Sequence, residues 1–249
     1  MKTKLTLFVA VLAVALFGVG CGSVKITEEQ LQEGLVAHYP FNGNAKDESG
    51  NGKDGKVKGA ILTADRAGKS NSAYKLDGVH GIKLPLTPED VLKQNTLSGW
   101  IKALELNKHR SSGGNINVCL IGTNLGLFTD RNGKPFHRIY AMSDESDSRN
   151  DHAPVFKRDV AEDVARWCQI SGTYDGTTMK LYINGEFVSM YRSDIKLRAL
   201  TNVHVGSWEG GGSWNLAHYC LVDDIRIYNR ALSAKEVKAL YDLEKPKGK

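Results

Sequence analysis

The chain has little from which an active site could be assembled by recognisable spacing. Its seven histidines, His38, His80, His109, His137, His152, His204 and His218, are scattered without metal-ligand intervals. No serine is framed as a nucleophile, and Gly210-Gly-Gly212 lacks the strand-to-helix context of a phosphate loop. A sandwich-fold glycosidase needs two carboxylates facing one cleft. Asp223 and Asp224 are adjacent and alternate to opposite faces, Glu162 and Asp163 fall in a turn, and Asp144, Glu145 and Asp147 fall in a polar loop. Cysteine is scarce as well. After Cys21 only Cys119, Cys168 and Cys220 remain, so at most one disulfide can form within a monomer, and their spacing fits no zinc pattern.

Long apolar runs are missing too. Residues 1–20 carry Lys2 and Lys4, an apolar core from Leu5 to Phe17, and Gly18-Val-Gly20 before Cys21. That core is too short for a transmembrane helix and reads as an export signal. A small-residue site ending in cysteine resembles a bacterial lipobox, with Cys21 as the acylated first residue. A lipid there would hold the protein at the membrane without a span. An ordinary signal peptide with an incidental cysteine is the alternative. Loss of this segment removes two lysines and no acid, taking the formal charge from +5 to +3. So mild a balance argues against nucleic acid as a partner.

What is present is β-structure. Short apolar segments recur with turn residues between them: Leu35–Phe41, Tyr74–Leu76, Gly81–Leu84, Thr96–Leu104, Asn117–Ile121, Gly126–Thr129, Phe136–Met142, Trp167–Tyr174, Met179–Ile183, Glu186–Tyr191, Val203–Ser207 and Tyr219–Tyr228. Asn132-Gly133, Asp175-Gly176 and Asn184-Gly185 are hairpin turns. No helical periodicity of useful length precedes Ser233. So many short strands imply two packed antiparallel sheets. Residues 34–243 make one domain, after a tether at 21–33 and before a tail at 244–249 with nothing to pack.

The last forty residues carry the most information. Read with a period of two, Leu221, Asp223, Ile225 and Ile227 share one face of a strand. A carboxylate on an aliphatic face needs a partner: a cation, a basic side chain or backbone donors. Ser233-Ala-Lys-Glu236 is a capping box, Leu232 can staple onto Val237, and Val237, Leu240 and Tyr241 form a helical stripe.

The run from Val222 to Ser233, Val-Asp-Asp-Ile-Arg-Ile-Tyr-Asn-Arg-Ala-Leu-Ser, resembles the C-terminal signature of laminin-G-like, concanavalin A-like jelly-roll domains of bacterial surface proteins. Gly34 to Gly52 is similar to the opening strand and loop of that family, and Trp167 to Gly185 to its central hairpins. The resemblance implies an all-β, two-sheet antiparallel jelly roll with a short C-terminal helix, whose first and last strands pair. It also implies a structural calcium in many members. Here Asn42, Asp47, Asp223 and Asp224 are the candidate ligands, since hard cations take carboxylate, amide and carbonyl oxygens. An Asx-turn loop satisfied by its own backbone is the alternative. The loop from Trp208 to Trp214, with Tyr219 after it, is the candidate ligand site, because exposed aromatic faces stack on sugar rings. The alternative places those rings in the core.

These features describe an exported lipoprotein of the cell envelope that binds glycan, without catalysis. A protein partner in adhesion, and a polysaccharide hydrolase or lyase on the same fold, stay open, because fold alone does not settle function. If Cys21 is acylated, Cys21→Ser should move the protein from membrane to soluble fractions. Unchanged partition with no lipid label at that residue would refute the anchor.

Overall fold

A computed structural model describes residues 25–77, 79–90, 94–104, 116–121, 125–129, 135–140, 151–152, 165–192, 203–206 and 219–247. Fifteen strands and one α-helix are formed among them: β1 (Leu35–Tyr39), β2 (Lys56–Lys58), β3 (Ile61–Thr63), β4 (Ala73–Asp77), β5 (Gly81–Leu84), β6 (Asn95–Ala103), β7 (Ile116–Ile121), β8 (Leu125–Thr129), β9 (Pro135–Tyr140), β10 (Asp151–His152), β11 (Cys168–Tyr174), β12 (Thr178–Ile183), β13 (Glu186–Arg192), β14 (Val203–Gly206), β15 (Tyr219–Tyr228) and α1 (Ala234–Glu244). Among the described residues no helix is long and apolar enough to cross a membrane.

The strands form a two-layer antiparallel jelly roll. One layer is the eight-stranded sheet β13-β12-β11-β6-β15-β4-β3, with β1 also paired to β15. Facing it is β14-β5-β2, while β10-β9-β8-β7 forms a further ladder whose β7 runs beside β14. The core lies between the layers. Leu97 and Ile101 of β6, Ile170 of β11, Leu181 of β12 and Val222 of β15 pack there with Ile82 and Leu84 of β5 and Val205 of β14. The first and last strands pair, as the resemblance implies, Leu35 opposite Tyr228 and Tyr39 opposite Ile225.

Two further strands lie outside the segments expected from the sequence. β2 falls in the glycine-rich stretch after Phe41 and β3 in the polar connection after Ala60. Each is three residues long, too short to show a period of two. Of the three hairpin turns, Asn132-Gly133 lies outside the described residues. Asn184 and Gly185 both have positive φ, 52° and 78°, which suits the two-residue loop joining β12 to β13.

Cys168 and Cys220 are buried thiols, so no disulfide joins the described cysteines. They pair with Ile101 and Ala103 from opposite sides of β6. Two strand spacings, roughly 9–10 Å, therefore separate them, beyond the reach of a disulfide. The side chain of Cys119 lies outside the described residues.

β15 is the organising strand, and it is bulged. Asp223 stands opposite Trp100, yet Arg226 stands opposite Ser98, so one extra residue is accommodated between them. Asp224 takes it up with φ of 45°, a left-handed conformation unusual for a non-glycine residue. The bulge corrects the assignment of Asp223 to the aliphatic face. Cys220, Val222, Ile225 and Ile227 face the core, and Asp223, Arg226 and Tyr228 face the opposite side with Trp100, Ser98 and Thr96, their cross-strand partners. Gly99 leaves room here for the tip of the Ile225 side chain. A Cβ on it would stand 2.5 Å from the Ile225 side chain.

The outward face of the large sheet is buried as well. Leu31, Leu35, Tyr182, Tyr228, Leu232, Val237 and Leu240 form a second apolar cluster, so α1 and the short 3-10 turn Gln30–Gln32 roof that face. The tether thus contributes Leu31 to the fold. Full burial of Val237 or Leu240 contributes about 1.5–3 kcal/mol each. The capping box is formed in both directions, Ser233 Oγ accepting from the Glu236 amide and Glu236 accepting from the Ser233 amide. Ser233→Ala should cost about 1 kcal/mol, read by calorimetry as a fall of roughly 2–4 °C in Tm. No fall would mean that packing alone holds α1.

Candidate functional site

Arg66 is the residue that sequence reasoning missed. It follows Asp65, whose carboxylate accepts from the amides of Ala67 (2.8 Å) and Lys69 (2.8 Å) and tightens the turn after β3. That turn delivers Arg66 to the point where β15 exchanges β4 for β1 as its neighbour. The two terminal nitrogens of its guanidinium donate to Asp223 Oδ2 and Asp224 Oδ2, one to each. Its Nε donates to the carbonyl of Glu244 at 2.9 Å, and its Cζ lies 4.8 Å from the centroid of the Trp100 ring. The only signal in the sequence was the charge demanded by Asp223, which named no donor.

A second buried charge adjoins the first. Glu244, last residue of α1, accepts from Arg226 Nε at 2.6 Å, Trp100 Nε1 at 2.8 Å and Gln169 Nε2 at 2.9 Å. Its side chain is 3% exposed, although the reading above places it in an unpacked tail. Tyr241 stacks on Trp100, with centroids 5.6 Å apart. Arg66, Trp100, Tyr241 and Glu244 thus clamp the end of α1 to the sheet.

Burial alone would raise both aspartates. Asp223 reaches about 7 despite the pull of Arg66, with neighbouring Asp224 adding to the rise. At Asp224 the hydrogen bond from His38 and the charge of Arg66 outweigh burial and hold the carboxyl below its ordinary value. Burial likewise pushes Glu244 up against the opposing charge of Arg226.

The four proposed metal ligands do not converge on a cation. Asp47 accepts at Oδ1 from the amides of His38 and Ser49, and at Oδ2 from Ser49 Oγ and the Lys53 amide, all at 2.9 Å. These bonds outweigh burial and lower its pKa. Asn42 Oδ1 accepts from Lys69 Nζ at 2.7 Å. Asp224 Oδ1 meets His38 Nε2 at 2.9 Å, so His38 links the Asp47 loop to the bulge. Among the described residues no three His, Cys, Asp or Glu side chains are grouped to hold a metal. N–H and O–H donors already point at the oxygens that calcium would use, so the set does not fit that ion.

Trp208 and Trp214 lie outside the described residues, as does the side chain of Tyr219, whose backbone begins β15 opposite Asp77. The chain passes from β14, which ends at Gly206 in the small sheet, to β15, which begins at Tyr219 in the large one. On the small sheet Lys56, Lys83 and His204 form one cross-strand row. His204 is held neutral by burial, with its pKa lowered from 6.5 to about 4, and its Nδ1 is buried without a hydrogen-bond partner.

As pH falls, the unfolded chain takes up a proton at His204 before the folded one does. Its contribution to stability is complete above about 6.5 and declines between 6.5 and 4. Asp223 acts in the opposite sense, since a raised carboxyl favours the folded state at the acid end. His204→Gln should therefore lose less Tm than the parent between pH 7.5 and pH 4.5. Parallel profiles would show that His204 does not titrate differently on folding.

The sequence profile of the concanavalin A-like lectin/glucanases superfamily matches residues 76–238. No curated protein matches the chain. Among solved structures, it is similar to domain 4 of AbnA, a GH43 extracellular arabinanase from Geobacillus stearothermophilus, in complex with arabinotriose. The TM-score is 0.60 and the identity 22%, over 83% of this chain and 98% of that domain. It is similar to the binding domain of Paraclostridial Mosquitocidal Protein 1 (TM-score 0.64, 20% identity, 86% of this chain and 53% of the other). It is also similar to the receptor-binding domain of botulinum neurotoxin mosaic serotype C/D (TM-score 0.65, 16% identity, 86% and 51%). The chain spans about half the length of the two toxin domains.

Proposed function

The chain belongs to the concanavalin A-like lectin/glucanases superfamily, and we propose that within it this protein is a non-catalytic binding module that recognises glycan at the bacterial cell envelope. The observation that carries the reading is the likeness to a whole arabinanase domain, 98% of it, solved with arabinotriose bound. A module of that outline is consistent with this chain acting by binding. The deeply buried acids between the large sheet and α1 add support. Asp223 and Glu244 are 2% and 3% exposed and engaged by arginine, tryptophan and glutamine, so neither is free to protonate a leaving group.

With that face roofed by α1, recognition falls to the opposite layer and to the loop from Trp208 to Tyr219. Two tryptophans around a glycine run suit stacking on the apolar faces of sugar rings. Cys21, if acylated, would hold the domain at the membrane.

Arrayed glycans should retain the purified protein, and Trp208→Ala with Trp214→Ala should abolish retention while leaving Tm within a few degrees of the parent. A large fall in Tm would instead assign the rings to the core, where removal costs about 3–5 kcal/mol each. Retention by no glycan, with capture by an envelope protein, would replace the glycan with a protein partner. Release of shortened saccharides would restore the enzyme reading.

A further inference from the structure

We infer that Arg66 brings, within the chain, the positive charge that a bound cation would otherwise have to supply to the Asp223–Asp224 bulge, so that the domain folds without calcium. The inference concerns how the fold is held and is independent of the glycan reading. The bulge holds Asp224 at φ of 45° and so brings adjacent carboxylates to bear on one guanidinium. A guanidinium is suited to this place because its donors are fixed in a planar fork, one nitrogen for each carboxylate. Its remaining edge and its face are also used, by the Glu244 carbonyl and the Trp100 ring.

Calcium asks for something different: six to eight oxygens at about 2.3–2.6 Å. Around the bulge the His38 imidazole meets Asp224 with a nitrogen, which a hard cation disfavours, while Asp65 adds its charge near Asp223 and spends its Oδ1 on the amides of Ala67 and Lys69. The glycine-rich loop has no need of an ion either. Asp47 orders it through four donated hydrogen bonds, three from backbone amides of His38, Ser49 and Lys53 and one from Ser49 Oγ. Both tasks that a cation could perform, neutralising the bulge and ordering the loop, are performed by the chain.

The test is thermal unfolding of the full chain after EDTA treatment, with and without saturating calcium, beside elemental analysis. The parent should contain no bound calcium and show the same Tm in both conditions. Arg66→Met, which keeps the length and removes the charge, should lower Tm by roughly 10 °C, because Asp223 loses its guanidinium partner and Asp224 is left with His38 alone. Adding Asp223→Asn and Asp224→Asn to Arg66→Met should recover at least half of that loss. A calcium-dependent rise in Tm of the parent, or stoichiometric calcium in it, would overturn the inference. So would an Arg66→Met variant no less stable than a surface substitution, or a triple variant no better than Arg66→Met. Should Arg66→Met fail to fold, the calcium response of the parent alone decides.

Discussion

The structure depends on the neutralisation of charge on a sheet face that is polar yet buried. Thr96, Ser98, Trp100, Gln169, Ser171, Thr173, Asp223 and Arg226 are all buried, and ladder partners among them place them on the outward side of the large sheet. A face of this composition can be roofed only if each ionised group beneath the roof meets a partner, since an unpaired buried charge costs several kcal/mol. Arg66 answers the two aspartates, and Arg226 answers Glu244. Because Glu244 ends α1, the same pairing that balances charge also fastens the helix. Remove either arginine and the roof, the bulge and the seam between β1 and β4 lose their common support.

This arrangement divides the molecule by role. The large sheet, its bulge and α1 form a closed assembly in which Asp223, Glu244 and Arg226 serve the fold. Under the reading proposed above, recognition is assigned to the small sheet and the β14–β15 connection. Lys58 stands where an EF-hand beginning at Asp47 would carry its bidentate Glu, so the Asp47 loop is not one. The loop nonetheless has a structural task, because Asp47 fixes the amide of His38, whose ring meets Asp224. A hydrogen-bond path therefore runs from the opening loop to the closing strand, the two stretches whose sequences carry the family resemblance.

Much of the fold was legible because it is written locally. The capping box at Ser233 and Glu236, the Leu232–Val237 staple and the Asn184-Gly185 turn each depend on residues a few positions apart. The demand for a partner at Asp223 was legible too. Its face was not, because a single extra residue at Asp224 reverses the alternation, and nothing in Val-Asp-Asp-Ile announces which residue will take a positive φ. β2 and β3 escaped notice because three residues cannot establish a period.

By itself the sequence determined the class of fold, the pairing of its ends through family resemblance, and the existence of an unanswered charge on the last strand. Those properties follow from short-range pattern and from the cost of burying an ion. Which group answers that charge was decided only by tertiary structure. Arg66 lies 157 positions from Asp223, in a turn of unremarkable composition, and Glu244 lies in what reads as a tail. Pairing across such separations is set by where β15 changes neighbours and where α1 comes to rest, and neither position has a local signature.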